Sequence, residues 1–400
     1  MHIVTSTDIL LPRAEDMGAW SVIACDQFTS EPEYWAAAEA RAAEKPSTLS
    51  LMLPEAWLHT ARADGADGRI ADTMRRYLAE GVFQTVPDSF IYVERTLSDG
   101  RVRRGLVAAL DLEQYDFTGT QRASVRSTEG TVEERLPPRV NIRRGAPLEM
   151  PHTLLLMDDR TDSVLSLAEK AKDALEKVYD FDLMLGGGHI AGWRVSGETK
   201  AAVQSALDAL DNAALQREKY GDAAENGKLT FAVGDGNHSL AAAKRFWDEK
   251  RETLPENERE TDPARFALVE IENIHEPSLD FEPIHRVIFD TDTSAFAAEF
   301  TAHRTEWEAK DKTLGERVAA AESFCRAYIA AHGGYIDYIH GDDTARSLGE
   351  KPNCAAVLLP PVEKSGLFLS VLKNGALPKK SFSMGNARDK RYYLECRKIR

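Results

Sequence analysis

Cysteine is scarce in this sequence, and the cysteines present stand far apart. They are Cys25, Cys325, Cys354 and Cys396. Because none belongs to a C-x-x-C pair, the sequence gives no sign of a zinc knuckle or a redox dithiol. No apolar run is long enough to span a bilayer, and residues 1–12 lack the basic start and apolar stretch of a signal peptide. We therefore expect a cytoplasmic protein without a membrane partner.

Positive charge is also in short supply. The 400 residues carry 65 acidic and 50 basic side chains, which gives a formal net charge of −15 at pH 7. Such a charge repels polyanions at long range and removes the usual electrostatic basis of nucleic-acid binding. Local basic pairs such as Lys379-Lys380 suit a small phosphorylated ligand better than a duplex. We expect a small-molecule substrate and no nucleic acid, and the sequence leaves a homodimer open.

What remains is the composition of a globular protein. Hydrophobic residues make up 43% of the chain and charged residues 29%, so the chain should fold throughout. Its length exceeds the size at which one core usually stops growing. We predict an α/β fold with mixed sheets and flanking helices. One or two compact domains would contain an N-terminal α/β region (1–120), a central region (121–290) and a C-terminal helical and strand region (291–400).

A few local patterns predict individual elements. Residues 90–97 and 104–112 are strand-like runs joined by a polar turn, which predicts a β-hairpin. The polar stretch 121–145 shows no apolar period and predicts a surface loop with a short helix. Residues 163–178 are predicted as a helix.

The strongest candidate site is the loop Gly234-Asp235-Gly236-Asn237-His238-Ser239, which follows an apolar strand at 229–233 and precedes a helix. Its glycines permit a sharp turn and close approach of a ligand to backbone N–H groups, and the helix adds unpaired donors and a positive dipole end. Asp235 could hold Mg²⁺ or accept a proton, His238 could transfer one, and Ser239 could cap the helix. A plain strand-to-helix turn explains the loop equally well.

Three further stretches of sequence could bind an anion. Arg126-Ser127-Thr128-Glu129-Gly130-Thr131 places an acid among hydroxyl groups, as a general base beside a phosphate clamp would be; a solvated loop with a salt bridge is the simpler interpretation. His285-Arg286 could present a guanidinium to phosphate, or pack at the end of a strand. Lys379-Lys380 precedes hydroxyls and a glycine, and could equally form a surface turn.

Four blocks taken together resemble the bacterial and archaeal family called domain of unknown function 1015. The blocks are 234–244, Pro283-Ile284-His285-Arg286, 377–381 and 390–395. The resemblance covers nearly the whole chain, and the ordered set is more specific than any single block. It brings no established reaction with it.

The glycine loop also resembles, more distantly, the nucleotide-phosphate loop of the ParB/sulfiredoxin-like group, which includes free-serine kinases. This resemblance implies a nucleotide-binding core in which the loop's aspartate and an upstream glutamate serve phosphoryl transfer. The matching aspartate is Asp235, and Glu129 is the candidate glutamate by its order along the chain. Ser239 stands where the pattern usually has arginine, which leaves a phosphate contact for Arg126, Arg286 or Lys380.

From these residues and resemblances we predict a nucleotide-dependent phosphotransferase that acts on a small hydroxyl-bearing metabolite such as serine, with Mg²⁺ and ATP or ADP as cofactors. The predicted catalytic residues are Glu129, Asp235 and His238, with Asp235 also the magnesium ligand. The predicted phosphate-binding residues are Arg126, Gly234, Gly236, Asn237, Ser239, Arg286 and Lys380. The alternatives are a non-catalytic nucleotide- or metabolite-binding regulator and a hydrolase of small phosphorylated or acylated molecules.

Overall fold

The computed structural model of the protein describes residues 2–119 and 122–400. Within them the strands are β1 (Val4–Thr5), β2 (Thr7–Pro12), β3 (Val22–Ile23), β4 (Phe83–Thr96), β5 (Val102–Asp111), β6 (Tyr115–Asp116), β7 (Val125–Ser127), β8 (Leu148–Glu149), β9 (Leu154–Met157), β10 (Glu176–Asp182), β11 (His189–Val195), β12 (Phe231–Asp235), β13 (Phe266–Asn273), β14 (Phe281–Phe289), β15 (Tyr335–His340), β16 (Ala355–Val357), β17 (Phe382–Met384), β18 (Tyr392–Tyr393) and β19 (Arg397–Lys398).

The helices of the same residues lie between these strands. They are α1 (Met17–Trp20), α2 (Pro32–Ala42), α3 (Ala66–Ala79), α4 (Leu136–Gly145), α5 (Leu165–Ala171), α6 (Gly197–Leu210), α7 (Ala213–Tyr220), α8 (Asn237–Thr253), α9 (Glu256–Arg259), α10 (Phe296–His303), α11 (Thr305–Glu308), α12 (Leu314–His332), α13 (Asp342–Gly349) and α14 (Leu367–Asn374). No helix of the described part of the chain has both the length and the apolar character needed to cross a bilayer.

One large mixed sheet forms the centre of the fold. Its strand order is β10-β11-β4-β5-β13-β9-β12-β7-β6, with β1 paired to β5 and β2 to β4. The hairpin predicted from residues 90–97 and 104–112 is present as β4 and β5, which pair antiparallel. The predicted mixed α/β class with flanking helices is confirmed.

Helices cover both faces of this sheet because its strands are apolar on both sides. Successive strand residues point to opposite faces. In β4, Phe90 and Tyr92 enter a core shared with α5, α6 and α8, whereas Ile91 and Val93 enter a core shared with α2 and α3. Burial on both faces explains why the strand reads as a continuous apolar run.

A smaller antiparallel sheet is built from β15, β14 and β16, with β17 paired to the first half of β14. This sheet packs against α12. It begins at Phe281, ahead of the division predicted at residue 291. The division predicted at residue 120 does not separate two sheets, since β4 and β5 share the large sheet with β9, β12 and β13.

Two local predictions differ from the structure. The helix predicted over 163–178 ends at Ala171, and β10 begins at Glu176, because β10 is stabilised by its pairing with β11. The stretch 121–145, predicted as loop and short helix, contains β7 as well as α4. The short β7 forms because the edge of β12 is free to pair with it.

The segment 389–399, called the crossing segment below, runs through the N-terminal half of the fold. Its β18 pairs with β3 and its β19 with β8, while the indole of Trp20 donates to the carbonyl of Leu394 at 2.9 Å. Arg391 is almost fully buried, and its guanidinium donates to Glu270 at 2.5 Å and also to Glu395. The crossing segment therefore fixes the two halves of the chain to each other.

Candidate functional site

The candidate site lies where two neighbouring parallel strands end. β7 and β12 pair in parallel, with Val233 opposite Ser127. Because parallel strands have their carboxyl ends at the same edge of a sheet, the residues that follow them meet there. Thr128 strengthens the junction by donating its hydroxyl to the carbonyl of Val233 at 2.6 Å. Glu129 and Asp235, distant in sequence, are thus brought to the same edge.

A cleft of about 540 Å³ opens at this edge, between the large sheet and the smaller one. One wall is formed by the residues that follow β7 and β12, and the other by β14, β15 and the residues around β17. The charged and imidazole side chains that line it are Glu129, Arg135, Asp235, His238, His340, Lys379, Lys380 and Lys390. The cleft therefore joins acid groups suited to proton transfer with cations suited to phosphate.

Glu129 is held in an environment that favours its protonated form. Burial raises the pKa of this carboxyl to about 7, and the negative charge of Asp235 acts in the same direction. The charges of Lys380 and Lys390 and a hydrogen bond from the backbone of Ser381 oppose the rise. At neutral pH a large fraction of Glu129 is the carboxylate, the form that accepts a proton, and a pKa near the working pH suits a general base.

Asp235 ends β12 and faces a lysine that sequence reasoning did not assign to the site. Its carboxylate lies 3.4 Å from the ammonium of Lys390, which the crossing segment carries into the cleft. Lys390 is far from the loop in sequence, and its position depends on the pairing of β18 with β3. No local sequence signal could have placed it there.

Lys380 lines the same cleft as Glu129 and Asp235, and its role in phosphate binding stays a prediction. Its backbone adopts a left-handed conformation with φ of 61°. Lys380 thus lies in a turn just before β17.

The loop between β12 and α8 offers backbone donors to an anion. Gly236 precedes α8 with φ of 77° and is its N-cap residue. Because glycine has no side chain, it cannot bond the first N–H groups of the helix as serine or aspartate would. The 17 residues of α8 add a positive dipole end at the same point. This geometry leaves the first N–H groups for a phosphate.

Neighbouring side chains leave no room for anything larger than glycine at two positions of the loop. A Cβ atom on Gly236 would lie 2.9 Å from the Cα of Thr153 and 2.9 Å from the ring of His152. One on Gly234 would lie 2.9 Å from Leu156. Asn237 begins α8 and lines the cleft, and its Oδ1 is buried with no hydrogen-bond partner among the described residues.

We expect Gly236→Ala to destabilise the fold more than Gly81→Ala. Gly81 has a similar φ of 69°, but no described atom lies within 4 Å of its would-be Cβ. Gly81→Ala should lower the free energy of unfolding by about 1 kcal/mol, because alanine disfavours the left-handed conformation. Gly236→Ala adds overlap with the backbone of Thr153 and should lower the free energy of unfolding by at least about 1 kcal/mol more. Urea unfolding of both variants measures this difference. Equal losses would show that the loop has room to relax.

His238 lines the cleft but uses one ring nitrogen to support it. Its Nε2 accepts a hydrogen bond from the backbone N–H of Val132 at 3.2 Å. Burial, together with the charges of Arg139 and Arg135, lowers the pKa of His238 to about 4. The imidazole is therefore neutral at pH 7 and holds the turn that follows Glu129, while its assignment as a proton-transfer residue stays a prediction.

Three of the predicted phosphate contacts lie elsewhere. Arg126 points away from the cleft, where its guanidinium donates to the carbonyls of Ala123 and Asn226. Arg286 is fully buried and bonds Glu322 and the carbonyl of Ile284. The donors that these hydrogen bonds use hold the fold, and neither guanidinium lines the cleft.

Ser239 is the third residue of α8 and not its cap, which is Gly236. Its side chain lines a different cavity, on the other side of the helix. The residues that the structure brings together are Glu129, Gly234, Asp235, Asn237, His238 and Lys380.

The predicted magnesium site can be compared with the carboxylates present. Within residues 2–119 and 122–400, no group of three or more histidine, cysteine or acidic side chains is arranged to hold a metal ion. Mg²⁺ at phosphate-transfer sites is usually held by one or two carboxylates together with substrate phosphates and water. The carboxylates of Asp235 and Glu129 fit that mode, and they do not fit a metal held by protein ligands alone.

Several solved structures are distantly similar to this chain. A free serine kinase in complex with AMP matches at 10% identity with a TM-score of 0.34, covering 72% of this chain and 90% of that one. A conserved hypothetical protein from Pyrococcus furiosus matches at 9% identity with a TM-score of 0.33, covering 73% of this chain and 95% of that one. SbnI with a C-terminal truncation, from Staphylococcus aureus, matches at 10% identity with a TM-score of 0.32, covering 70% of this chain and 82% of that one. At these scores the likenesses do not bear on activity.

No curated protein matches the chain. The family described as "Protein of unknown function (DUF1015)" matches residues 7–398, as the four sequence blocks predicted. Nearly the whole length is matched, and the chain therefore belongs to the DUF1015 family.

Proposed function

We propose that the cleft transfers a phosphoryl group from a nucleotide to the hydroxyl group of a small metabolite. The observation that carries this proposal is the position of Glu129, with a pKa of about 7, in the same cleft as the glycine loop before α8. A base and an anion cradle at one strand edge are what such a reaction requires. A purely regulatory binding protein needs the loop but has no use for the base.

The phosphates would bind at the first turn of α8. Backbone N–H groups from Asn237 onward supply donors there, and the ammonium groups of Lys380 and Lys390 supply positive charge. Phosphoryl transfer depends mostly on positioning and on charge stabilisation. These three elements come from distant parts of the sequence and meet only in the folded chain.

The acceptor would bind between Glu129 and the opposite wall of the cleft, where Tyr338 and His340 project from β15. Glu129 takes the proton of the acceptor hydroxyl as the acceptor oxygen bonds to the terminal phosphorus. The bond from that phosphorus to the bridging oxygen breaks, and the nucleoside diphosphate leaves with the electron pair. Atoms and charge balance without a further reactant.

Magnesium would complete this site when a nucleotide is bound. Asp235 is the carboxylate best placed to contact it beside the phosphates, and Mg²⁺ would supply neutralisation of phosphate charge. Lys390, 3.4 Å from Asp235, contributes positive charge to the same region. The carboxylate also holds this ammonium group at the edge where the phosphates would bind.

The pH dependence of turnover follows from Glu129. A general base works as the carboxylate, which is the form present above its pKa of about 7. The rate should therefore rise with pH between 6 and 8, and at pH 6 it should be about one tenth of the plateau value. Initial rates across this range, at saturating nucleotide, measure the profile. A flat profile would remove Glu129 from the role of base.

Phosphorus-31 NMR tests the proposal. The purified protein is mixed with ATP, Mg²⁺ and a panel of hydroxyl compounds that begins with serine. A new phosphate monoester together with ADP is expected. Asp235→Asn should reduce formation of the phosphate monoester by at least about tenfold. The control Asp222→Asn, at an exposed position, should leave it unchanged.

The other candidate functions give different spectra. Inorganic phosphate in place of a monoester would identify a hydrolase. Binding without turnover would identify a regulator. Turnover unchanged by Asp235→Asn would rule out the assignment of that residue.

A further inference from the structure

A second cavity, of about 180 Å³, lies on the other side of the first turns of α8. Its walls are largely apolar and include Met52, Met74 and Ile142. Small side chains keep the space open, among them Ala146, Ala242 and Ala243. An unfilled apolar space weakens packing because its lining atoms lose contacts, so a ligand that fills it would be stabilised by them.

This cavity and the cleft are adjacent along two helices. Arg135, immediately before α4, lines the cleft, while Pro138 and Arg139 line the cavity. On α8, His238 lines the cleft and Ser239 the cavity. Residues three or four apart on a helix are neighbours at about 5–6 Å. The cleft and the cavity therefore flank the first turn of α8, close enough for one extended ligand to contact both.

One edge of the cavity is polar. The hydroxyl of Tyr393 lies 2.6 Å from Nδ1 of His152 and donates to the sulfur of Cys25 at 3.4 Å. Thr153 and Ser239 add hydroxyl groups to the lining. A flat ring with apolar faces and hydrogen-bonding atoms on its rim matches this combination, because it can contact the apolar walls and also hydrogen-bond at the polar edge.

We propose that the cavity binds the nucleobase of the nucleotide whose phosphates bind at the start of α8, an inference that rests on the proposed function. The volume of about 180 Å³ exceeds that of a cavity of about 150 Å³ that accommodates a benzene ring. The cleft and the cavity then form two parts of one nucleotide site, joined across the first turn of α8. The cavity supplies affinity for the base, and the cleft supplies the chemistry.

Calorimetric titration with ATP and with tripolyphosphate, which lacks the base, separates the two parts. Ala243→Leu fills the cavity and should weaken ATP binding at least about tenfold, with tripolyphosphate binding unchanged. Ala202→Leu adds the same atoms at an exposed position of α6 and should change neither. A folded Ala243→Leu protein that binds ATP as tightly as the wild type would overturn the inference.

If Ala243→Leu fails to fold, photolabelling of the unaltered protein with 8-azido-ATP tests whether the base binds in the cavity. Labelled peptides should contain residues 51–58, 138–153 or 239–243. Labelling confined to 335–340 or 379–384, on the far wall of the cleft, would overturn the proposal.

The two proposals fail in different ways. If ATP binds no more tightly than tripolyphosphate, the cavity is not a base site and the proposed function stands. If neither compound binds, the proposed function fails and the cavity assignment falls with it.

Discussion

Glu129→Gln is expected to lower the rate of phosphoryl transfer by about 10²- to 10⁴-fold, the usual contribution of a positioned general base. Glutamine has nearly the same shape and can still accept a hydrogen bond from the backbone near Ser381, but it cannot take a proton from the acceptor. Nucleotide affinity should change little, because the loop and lysines remain. Single-turnover rates with labelled ATP, and ATP affinity measured separately, distinguish these two effects.

Glu133→Gln is the matched control for this prediction. Glu133 lies on the same stretch of chain, is exposed, and pairs with Arg245 at 2.9 Å on the surface. Because exposed ion pairs contribute little, its loss should leave the rate within about twofold. Should Glu129→Gln and Glu133→Gln have the same small effect, the base must be a different group, and His340 on the opposite wall would be the next residue to replace.

The second large effect expected is on stability. Arg391→Met would leave the carboxylates of Glu270 and Glu395 buried without their shared cation, since all three side chains are at most 3% exposed. Removing one partner of such a buried group typically costs about 3–5 kcal/mol. The free energy of unfolding in urea should fall by this amount, and nucleotide binding should weaken because Lys390 is the preceding residue.

Lys398→Met tests whether any charge removed from the crossing segment has the same consequence. Lys398 is exposed, and its replacement should change stability by less than about 0.5 kcal/mol. If Arg391→Met is tolerated as well as Lys398→Met, the buried carboxylates must take up protons at no significant cost. Repeating the urea series at pH 6 and pH 8 would reveal that uptake as a pH-dependent difference between the variants.

Local patterning was sufficient to predict much of the fold. The hairpin of β4 and β5 and the strand–glycine–helix unit of β12 and α8 depend on residues close together in sequence, so apolar pattern and turn residues specify them. The end of α5 could not be read from propensity, because β10 is stabilised by its pairing with β11. β7 is likewise defined by its partner and not by its own three residues.

The grouping of the candidate-site residues could be predicted for those that follow neighbouring strands, and it could not be predicted for side chains that come from distant segments. Glu129 and Asp235 were predicted as a functional pair, and the parallel pairing of their strands brings them together. Arg126 and Arg286 were predicted from chemistry alone, which cannot reveal that Arg126 bonds carbonyl groups outside the cleft and that Arg286 is buried beside Glu322. Lys390 was missed because its place depends on a tertiary pairing between distant segments.

The crossing segment also bears on how the protein matures during synthesis. A nascent chain that has not reached residue 390 already contains Glu129, Asp235 and α8, but it lacks the strand partners of β3 and β8 and the cation beside Asp235. Contacts of such sequence separation form slowly, and apolar surface stays exposed until they do. We expect the growing chain to need protection by chaperones. Activity should appear only after the crossing segment has paired with β3 and β8.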